Sequence, residues 1–302
     1  IKKKLKIGKR IIDNKNPFII AEIGHNHQGS TKKAKELILA AKKAGASAVK
    51  FQKRNNKTLF TKKFYDSPYE NPNSFAKTYG KHRDFLELSK NQYKELIKFA
   101  NKINIEIFAT PFDLESVSFL ESLNVNCYKI ASADLNNTIL QKEVAKTKKP
   151  IFLSTGGGTL KDVKRAVKNI MSINKKLSVL HCTASYPCDI KDMNLNVIST
   201  YLKEFPSNII GLSDHENGID AGPIAYMLGA TIFEKHFTLN RANKGTDNAF
   251  SLEPAGLSKF VRNLKRIELM LGSDEKKQLN TETKPLIKMR KSPVLVKNKK
   301  KG

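Results

Sequence analysis

Short apolar, β-branched runs alternate with amphipathic stretches eight times along this chain, and that count constrains the fold more than any other feature. The runs are FIIAEIG (18–24), SAVKFQ (47–52), IEIFAT (105–110), NCYKIAS (126–132), PIFLST (150–155), LSVLHC (177–182), NIIGLSD (208–214) and ATIFEKH (230–236). Strands that read as continuous apolar runs are buried on both faces, as a helix-covered parallel sheet requires. After the first run Ala34, Leu37, Ile38 and Ala41 recur with helical spacing, and after the fifth Val163, Ala166, Val167 and Ile170 do the same. Thr159 and Asp162 form a capping box, Pro254 suits the start of the last helix and Gly272 its end. Eight strand–helix units in series predict a closed (β/α)8 TIM barrel rather than a doubly wound sheet, because eight is the closure number. The barrel is expected over residues 1–280, with 281–302 forming a linker and the beginning of something further.

Composition narrows the setting. No stretch of about 18 apolar residues is present, so no membrane partner is expected. The basic N-terminus IKKKLKIGKR leads into no apolar signal core, which predicts a cytoplasmic protein. Cys127, Cys182 and Cys188 follow no paired or zinc-type spacing and read as reduced thiols. The net charge of +27 raises nucleic acid as a partner. Yet 47 lysines against eight arginines, spread along helical segments with no tryptophan, read as solvated helix faces, so no nucleic acid is expected. A positive field does help to gather an anionic small substrate. The chain opens on Ile rather than Met and closes on KSPVLVKNKKKG, where Val294 to Val296 make a β-like run without a partner; both ends read as cut.

Reacting groups of such barrels lie at the C-terminal ends of the strands. Here those ends carry Glu22 with Asn26 and His27, Lys50 with Gln52, Thr110, Lys129 with Ser132 and Asp134, Ser154 with Thr155, Thr183 with Tyr186, Ser213 with His215, and Glu234 with His236. Lys50 and Lys129 end apolar strands, where an unpaired ammonium is costly. Each is either paired with a carboxylate or an anion clamp for phosphate or carboxylate. The Gly156-Gly157-Gly158 turn adds backbone N–H groups. Glu22 either pairs with a lysine or moves protons and positions a water. His215 and His236 are too few for a zinc site and fit a six-coordinate ion such as Mn²⁺, completed by water and substrate oxygens. The polar insertion over 53–89 is long enough to be an active-site loop or lid.

Several segments together carry a family resemblance. FIIAEIGHNHQGS, AVKFQK, FATPFD, YKIASAD, FLSTGG, LHCTASYP, GLSDHENG, EKHFTL and KGTDNAFSLEP, in this order, resemble the sialic acid synthase family: the N-acetylneuraminate synthases and their legionaminic and pseudaminic acid relatives. SPYENPNSFAKTYGKHRDFLELS resembles the vertebrate-type branch and related bacterial members. The resemblance implies condensation of phosphoenolpyruvate with an open-chain N-acetylated amino sugar, with Mn²⁺ as divalent ion and Mg²⁺ or Co²⁺ as alternatives. It implies metal ligands at His215 and His236, a catalytic glutamate at Glu22, and phosphoenolpyruvate contacts at Lys50, Thr110, Lys129, Ser132, Ser154 and Tyr186, with Lys50 and Lys129 stabilising charge. Asp134 and Asp247 fall where the family holds the amino sugar, and Asn26, Gln52, Ser213 and Glu234 complete the expected binding set. C3 of phosphoenolpyruvate would attack a metal-polarised aldehyde, water would add at C2 with help from Glu22, and phosphate would leave by C–O cleavage.

Some members carry Asn in the motif after the sixth strand, where this chain has Ala184 and Ser185. The tail MRKSPVLVKNKKKG resembles the linker and first strand of the family's C-terminal antifreeze-like (SAF) domain, whose arginine reaches the partner's site in a swapped homodimer. The acceptor expected is N-acetylmannosamine. The alternatives are its 6-phosphate, as in an N-acylneuraminate-9-phosphate synthase, or a legionaminic or pseudaminic acid precursor, with selectivity in loops 53–89 and 240–250.

Overall fold

All eight expected strands form, each within two residues of its predicted start or end. The computed structural model describes residues 4–13 and 16–302. Before the barrel stand two short strands, β1 (Leu5–Ile7) and β2 (Arg10–Ile12), paired antiparallel around Gly8. The barrel strands are β3 (Phe18–Gly24), β4 (Ala48–Lys53), β5 (Glu106–Pro111), β6 (Tyr128–Ile130), β7 (Ile151–Ser154), β8 (Leu177–Cys182), β9 (Ile209–Asp214) and β10 (Ile232–His236). They pair in parallel in chain order, and β10 closes the ring onto β3. All residues of β3, β8, β9 and β10 are buried, the signature of strands covered on both faces.

The connecting helices are α1 (Thr31–Lys43), α2 (Asn56–Leu59), α3 (Lys62–Tyr65), α4 (Tyr79–Leu86), α5 (Lys90–Lys102), α6 (Leu114–Glu121), α7 (Thr138–Lys146), α8 (Leu160–Met171), α9 (Val197–Glu204), α10 (Ala221–Met227), α11 (Pro254–Leu271) and α12 (Thr283–Met289). Helix α1 buries Ala34, Leu37, Ile38 and Ala41, and α8 buries Val163, Ala166, Val167 and Ile170, so the apolar stripes read from spacing are the packed faces. The Thr159–Asp162 capping box closes reciprocally at the start of α8. Pro254 opens α11, and Gly272 follows its last residue at φ +56°, the left-handed conformation that ends helices.

Two features depart from expectation. The hairpin β1–β2 was not anticipated; its Leu5, Ile7 and Ile12 are buried with Phe18, Ala48, Phe108, Phe152, Ile209 and Ile232, sealing apolar barrel residues from water. Insertion 53–89 is no bare loop. Helices α2, α3 and α4 hold a small aromatic core in which the Phe64 and Tyr79 rings lie 4.7 Å apart and the Phe75 and Phe85 rings stack at 4.9 Å. The chain divides into two units, residues 1–266 and 267–302. In the second, the β-like run at Val294–Val296 forms no strand, because a strand needs a neighbour for its ladder and none stands beside it among the described residues. Among the described residues no helix is long and apolar enough to cross a membrane.

Candidate active site

Side-chain parity sets up the site. Along β10, Ile232, Glu234 and His236 share one face and Lys235 takes the other, where its ammonium meets Asp214 at 2.8 Å in a separate buried ion pair. The register then aligns His236 with Glu22 on β3, Glu22 with Lys50 on β4, Gln52 with Thr110 on β5, and Ser213 on β9 with Glu234. These residues line a cavity of about 580 Å³, together with Lys129, Ser132, Ser154, Tyr186, His215 and Asp247.

At its floor lies a buried charge network. Lys50 Nζ stands 2.7 Å from Glu22 Oε2 and 3.6 Å from Glu234 Oε1, and donates to Thr110 Oγ1 at 3.0 Å. Lys129 Nζ lies 3.3 Å from the same Glu234 oxygen, Ser213 Oγ donates to it at 3.3 Å, and Gln52 Nε2 donates to Glu22 Oε1 at 2.8 Å. The two readings of the lysines therefore coincide: they are paired with carboxylates and also face the cavity. Burial pulls the Lys50 ammonium down, but Glu22 and Glu234 more than reverse this and leave it raised. For Lys129 burial outweighs Glu234 and the ammonium is lowered. Burial pushes the Glu234 carboxyl up, yet chiefly Lys129 and then Lys50 hold it at about 2. Both glutamates therefore serve to keep two cations charged out of water.

Polar atoms left unmet cluster in the same wall. Ser154 Oγ, Glu234 Oε2 and His236 Nδ1 are buried without a hydrogen-bond partner. Buried polar atoms are ordinarily satisfied, so three orphans on one cavity mark where a ligand belongs. Gly24 sits at φ +50°, and a Cβ there would crowd Gln52 Nε2 and Glu22 Oε1 at 3.1 Å and Asp247 Oδ2 at 3.3 Å, so glycine leaves these three polar ends in place.

The histidine pair suits a divalent ion. The His215 and His236 ring centres are 5.4 Å apart, with the Tyr186 ring 4.1 Å from that of His215. His215 Nδ1 donates to the Thr183 carbonyl at 2.9 Å, which leaves Nε2 unprotonated and free to coordinate. Burial, then the neighbouring His236, lowers His215 to about 3, so the ring is neutral as a ligand must be. Among the described residues no third His, Cys, Asp or Glu joins the pair in a metal-holding cluster, so any further ligands would have to come from water or substrate.

Two expected site residues lie outside the cavity wall. Asn26 Nδ2 donates to the Phe237 carbonyl at 2.9 Å and to Ser251 Oγ at 3.0 Å, tying the loop after β3 to the segment after β10. Asp134 is buried in a 3₁₀ turn (132–134), where its Oδ1 accepts from Asn137 at 3.0 Å and burial raises its carboxyl. The neighbouring Ala133 and Asn136 reach the cavity instead. Of the glycine turn, Gly156 and Gly157 line the cavity, but the Gly156 N–H already donates to Ser132 Oγ at 2.9 Å, and Gly158 packs on Leu135. Arg54, Arg83 and Phe112 line the cavity without having been singled out. Arg54 directly follows the strand-end cluster of β4 and could have been found there; Arg83 sits in α4 inside the insertion and gave no local signal.

The model of the NeuB family matches residues 37–276. This chain belongs to the NeuB family. It is therefore an enzyme of the sialic and nonulosonic acid synthase group. It is 41% identical over 286 residues to the mouse N-acetylneuraminate-9-phosphate synthase, covering 94% of this chain and 80% of the relative. It is 36% identical to the Legionella pneumophila N,N'-diacetyllegionaminic acid synthase over 291 residues, 94% of this chain and 82% of the relative. Among solved structures, the N-acetylneuraminic acid synthetase of Leptospira borgpetersenii in complex with citrate aligns with a TM-score of 0.81 at 31% identity, covering 95% of this chain and 96% of that one.

Proposed function

We propose that this NeuB family enzyme condenses phosphoenolpyruvate with an open-chain N-acetylated hexosamine to give a nonulosonic acid and inorganic phosphate. The observation that carries this reading is one cavity with two halves: two buried, carboxylate-steadied lysines on one side and a pair of histidines 5.4 Å apart on the other. His215 and His236 would hold a divalent ion, for which Mn²⁺ is proposed; such an ion supplies Lewis-acid polarisation of the sugar aldehyde.

The chain's own residues do the rest. Lys50 and Lys129, with the Thr110, Ser132 and Ser154 hydroxyls, hold the phosphate and carboxylate of phosphoenolpyruvate, so their contribution is positioning and charge stabilisation. C3 of the enol ester attacks the aldehyde carbon, the C=O π pair passes to the aldehyde oxygen, which takes up a proton to become the product hydroxyl, and positive charge develops at C2. Glu22, oriented by Gln52 and Lys50, lies at the level of His236 and accepts the proton of the water that adds to C2. The tetrahedral product then loses phosphate with cleavage of its C–O bond. Asp247, whose Oδ2 lies 3.8 Å from His236 Nδ1, is placed to bind sugar hydroxyls beside the histidines.

The test is phosphate release with N-acetylmannosamine, its 6-phosphate and the bacterial diamino sugars, with and without Mn²⁺. The expected result is metal-dependent release with one of these acceptors. His215→Ala and His236→Ala should each lower metal-dependent turnover about a thousandfold with an unchanged circular dichroism spectrum, the scale of losing several kcal/mol of charge stabilisation. Undiminished turnover in either variant would remove the metal site from the reading.

A further inference from the structure

The mechanism above leaves two cavity-lining cations unused. Arg54 follows β4 and Arg83 lies on α4, so the two ends of insertion 53–89 bring guanidinium groups to the same wall. His25 stands between them: Arg54 Nη1 lies 3.3 Å from its Nε2 and Arg83 Nη1 lies 3.3 Å from its Nδ1. A neutral imidazole has one lone pair and one N–H, so it accepts from one arginine and presents a donor to the other. Burial, followed by the two arginines, holds His25 well below its usual value, so neutral is its state.

Neither guanidinium has a carboxylate within ion-pair distance among the described residues. Glu87 stands close by: its Oε2 accepts from Lys53 Nζ at 2.5 Å and from the Arg54 backbone N–H at 3.3 Å, and its Oε1 lies 3.8 Å from His25 Nε2. Arg83 Nε donates to the Tyr79 hydroxyl at 3.0 Å, and the Arg54 guanidinium stacks 3.7 Å above the Phe112 ring. Among the described residues no further side chain or carbonyl accepts from the other guanidinium N–H groups. Packing and stacking thus fix two repelling cations in place, an arrangement that costs stability unless an anion joins it. Burial and then Arg83 lower Arg54 to about 10, so Arg54 remains charged at neutral pH.

We propose that Arg54, Arg83 and the intervening His25 form a second anion subsite, which takes a phosphate ester on the acceptor sugar. This rests on the reading of the cavity as a condensation site and assigns the acceptor's class. The subsite is distinct from the lysine clamp: Lys50 contacts Glu22, Glu234 and Thr110, whereas Arg54 and Arg83 contact His25, Phe112 and Tyr79, with Asp247 a charged neighbour of both arginines. Asp247 also lies beside His236, so the arginines sit on the side of the cavity where the sugar is expected. Two planar guanidinium forks match a phosphate's oxygens, and the phosphate would give the unmatched N–H groups their acceptors.

The test compares N-acetylmannosamine with its 6-phosphate in the wild type, Arg54→Gln, Arg83→Gln and the conservative Arg83→Lys. The wild type should favour the phosphorylated acceptor by about tenfold or more in kcat/KM, the worth of one charge-assisted hydrogen bond. Each Gln variant should reduce that ratio about tenfold through the KM of the phosphorylated sugar, with Arg83→Lys intermediate. A wild-type preference for the free sugar, equal losses with both acceptors, or a loss carried by the KM of phosphoenolpyruvate would overturn the subsite. Calorimetric titration of the wild type and both Gln variants with the sugar 6-phosphate, without phosphoenolpyruvate, separates the two readings. Arginine-dependent binding without turnover would uphold the subsite and sink the condensation; wild-type turnover without such binding dependence would do the reverse.

Discussion

Glu234 shows how much one side chain does in this site. Its Oε1 is shared by Lys50 at 3.6 Å, Lys129 at 3.3 Å and the Ser213 hydroxyl, while its Oε2 has no partner. Lys50 keeps Glu22 if Glu234 is neutralised, but Lys129 has no other ion pair among the described residues. Glu234→Gln should therefore leave a buried, uncompensated ammonium. The expected cost is about 3 kcal/mol, read as a lower urea midpoint with an unchanged slope. A midpoint equal to that of the wild type would show that water in the cavity already solvates Lys129. At this scale the sequence was informative where burial conflicts with charge: Glu22, Lys50, Lys129 and Glu234 each interrupt an apolar strand. It was uninformative about Asn26 and Asp134, since a polar residue after a strand serves a loop hydrogen bond as readily as a ligand.

Elements were legible to the extent that their signals are local. The apolar stripe and capping box of α8 involve residues within a turn of one another, and both formed as read. Thr159 is exposed, accepts from the Asp162 N–H and donates to its carboxylate at 2.6 Å, so Thr159→Ala should cost about 1 kcal/mol of stability by chemical denaturation. Turnover should stay unchanged, because Thr159 is not part of the cavity wall. The hairpin β1–β2 escaped because three-residue strands carry too little alternation to stand out, and its stability comes from the barrel residues it covers. The insertion escaped in another way: its order rests on rings brought together from Phe60, Phe64, Tyr69, Phe75, Tyr79 and Phe85, a contact set with no period.

For the whole molecule, burial of neutral imidazoles sets the response to acid. Burial lowers His27 and His215 to about 3 and His82 to about 4, against an unfolded value near 6.5. In the window between those values the unfolded chain binds more protons than the folded one, so stability rises with pH there. The stability these groups contribute is fully present above about pH 6.5 and is lost progressively as pH falls toward their folded values. The urea midpoint of metal-free protein should thus decline steadily from pH 7 to pH 5. A flat profile would mean that these rings are solvated in the folded state.

The sequence by itself determined the barrel and the inventory of its mouth. Eight two-face-buried strands have few ways to close, and a charge at the end of an apolar strand has few reasons to be there. It also carried the family, through motifs spread over most of the chain. Only the tertiary structure decided which of those polar ends meet: that Glu22 and Glu234 steady the two lysines, that His215 is locked with one nitrogen free, and that α4 delivers Arg83 beside Arg54. Pairing register and the packing of a long insertion are non-local, so no window of sequence contains them.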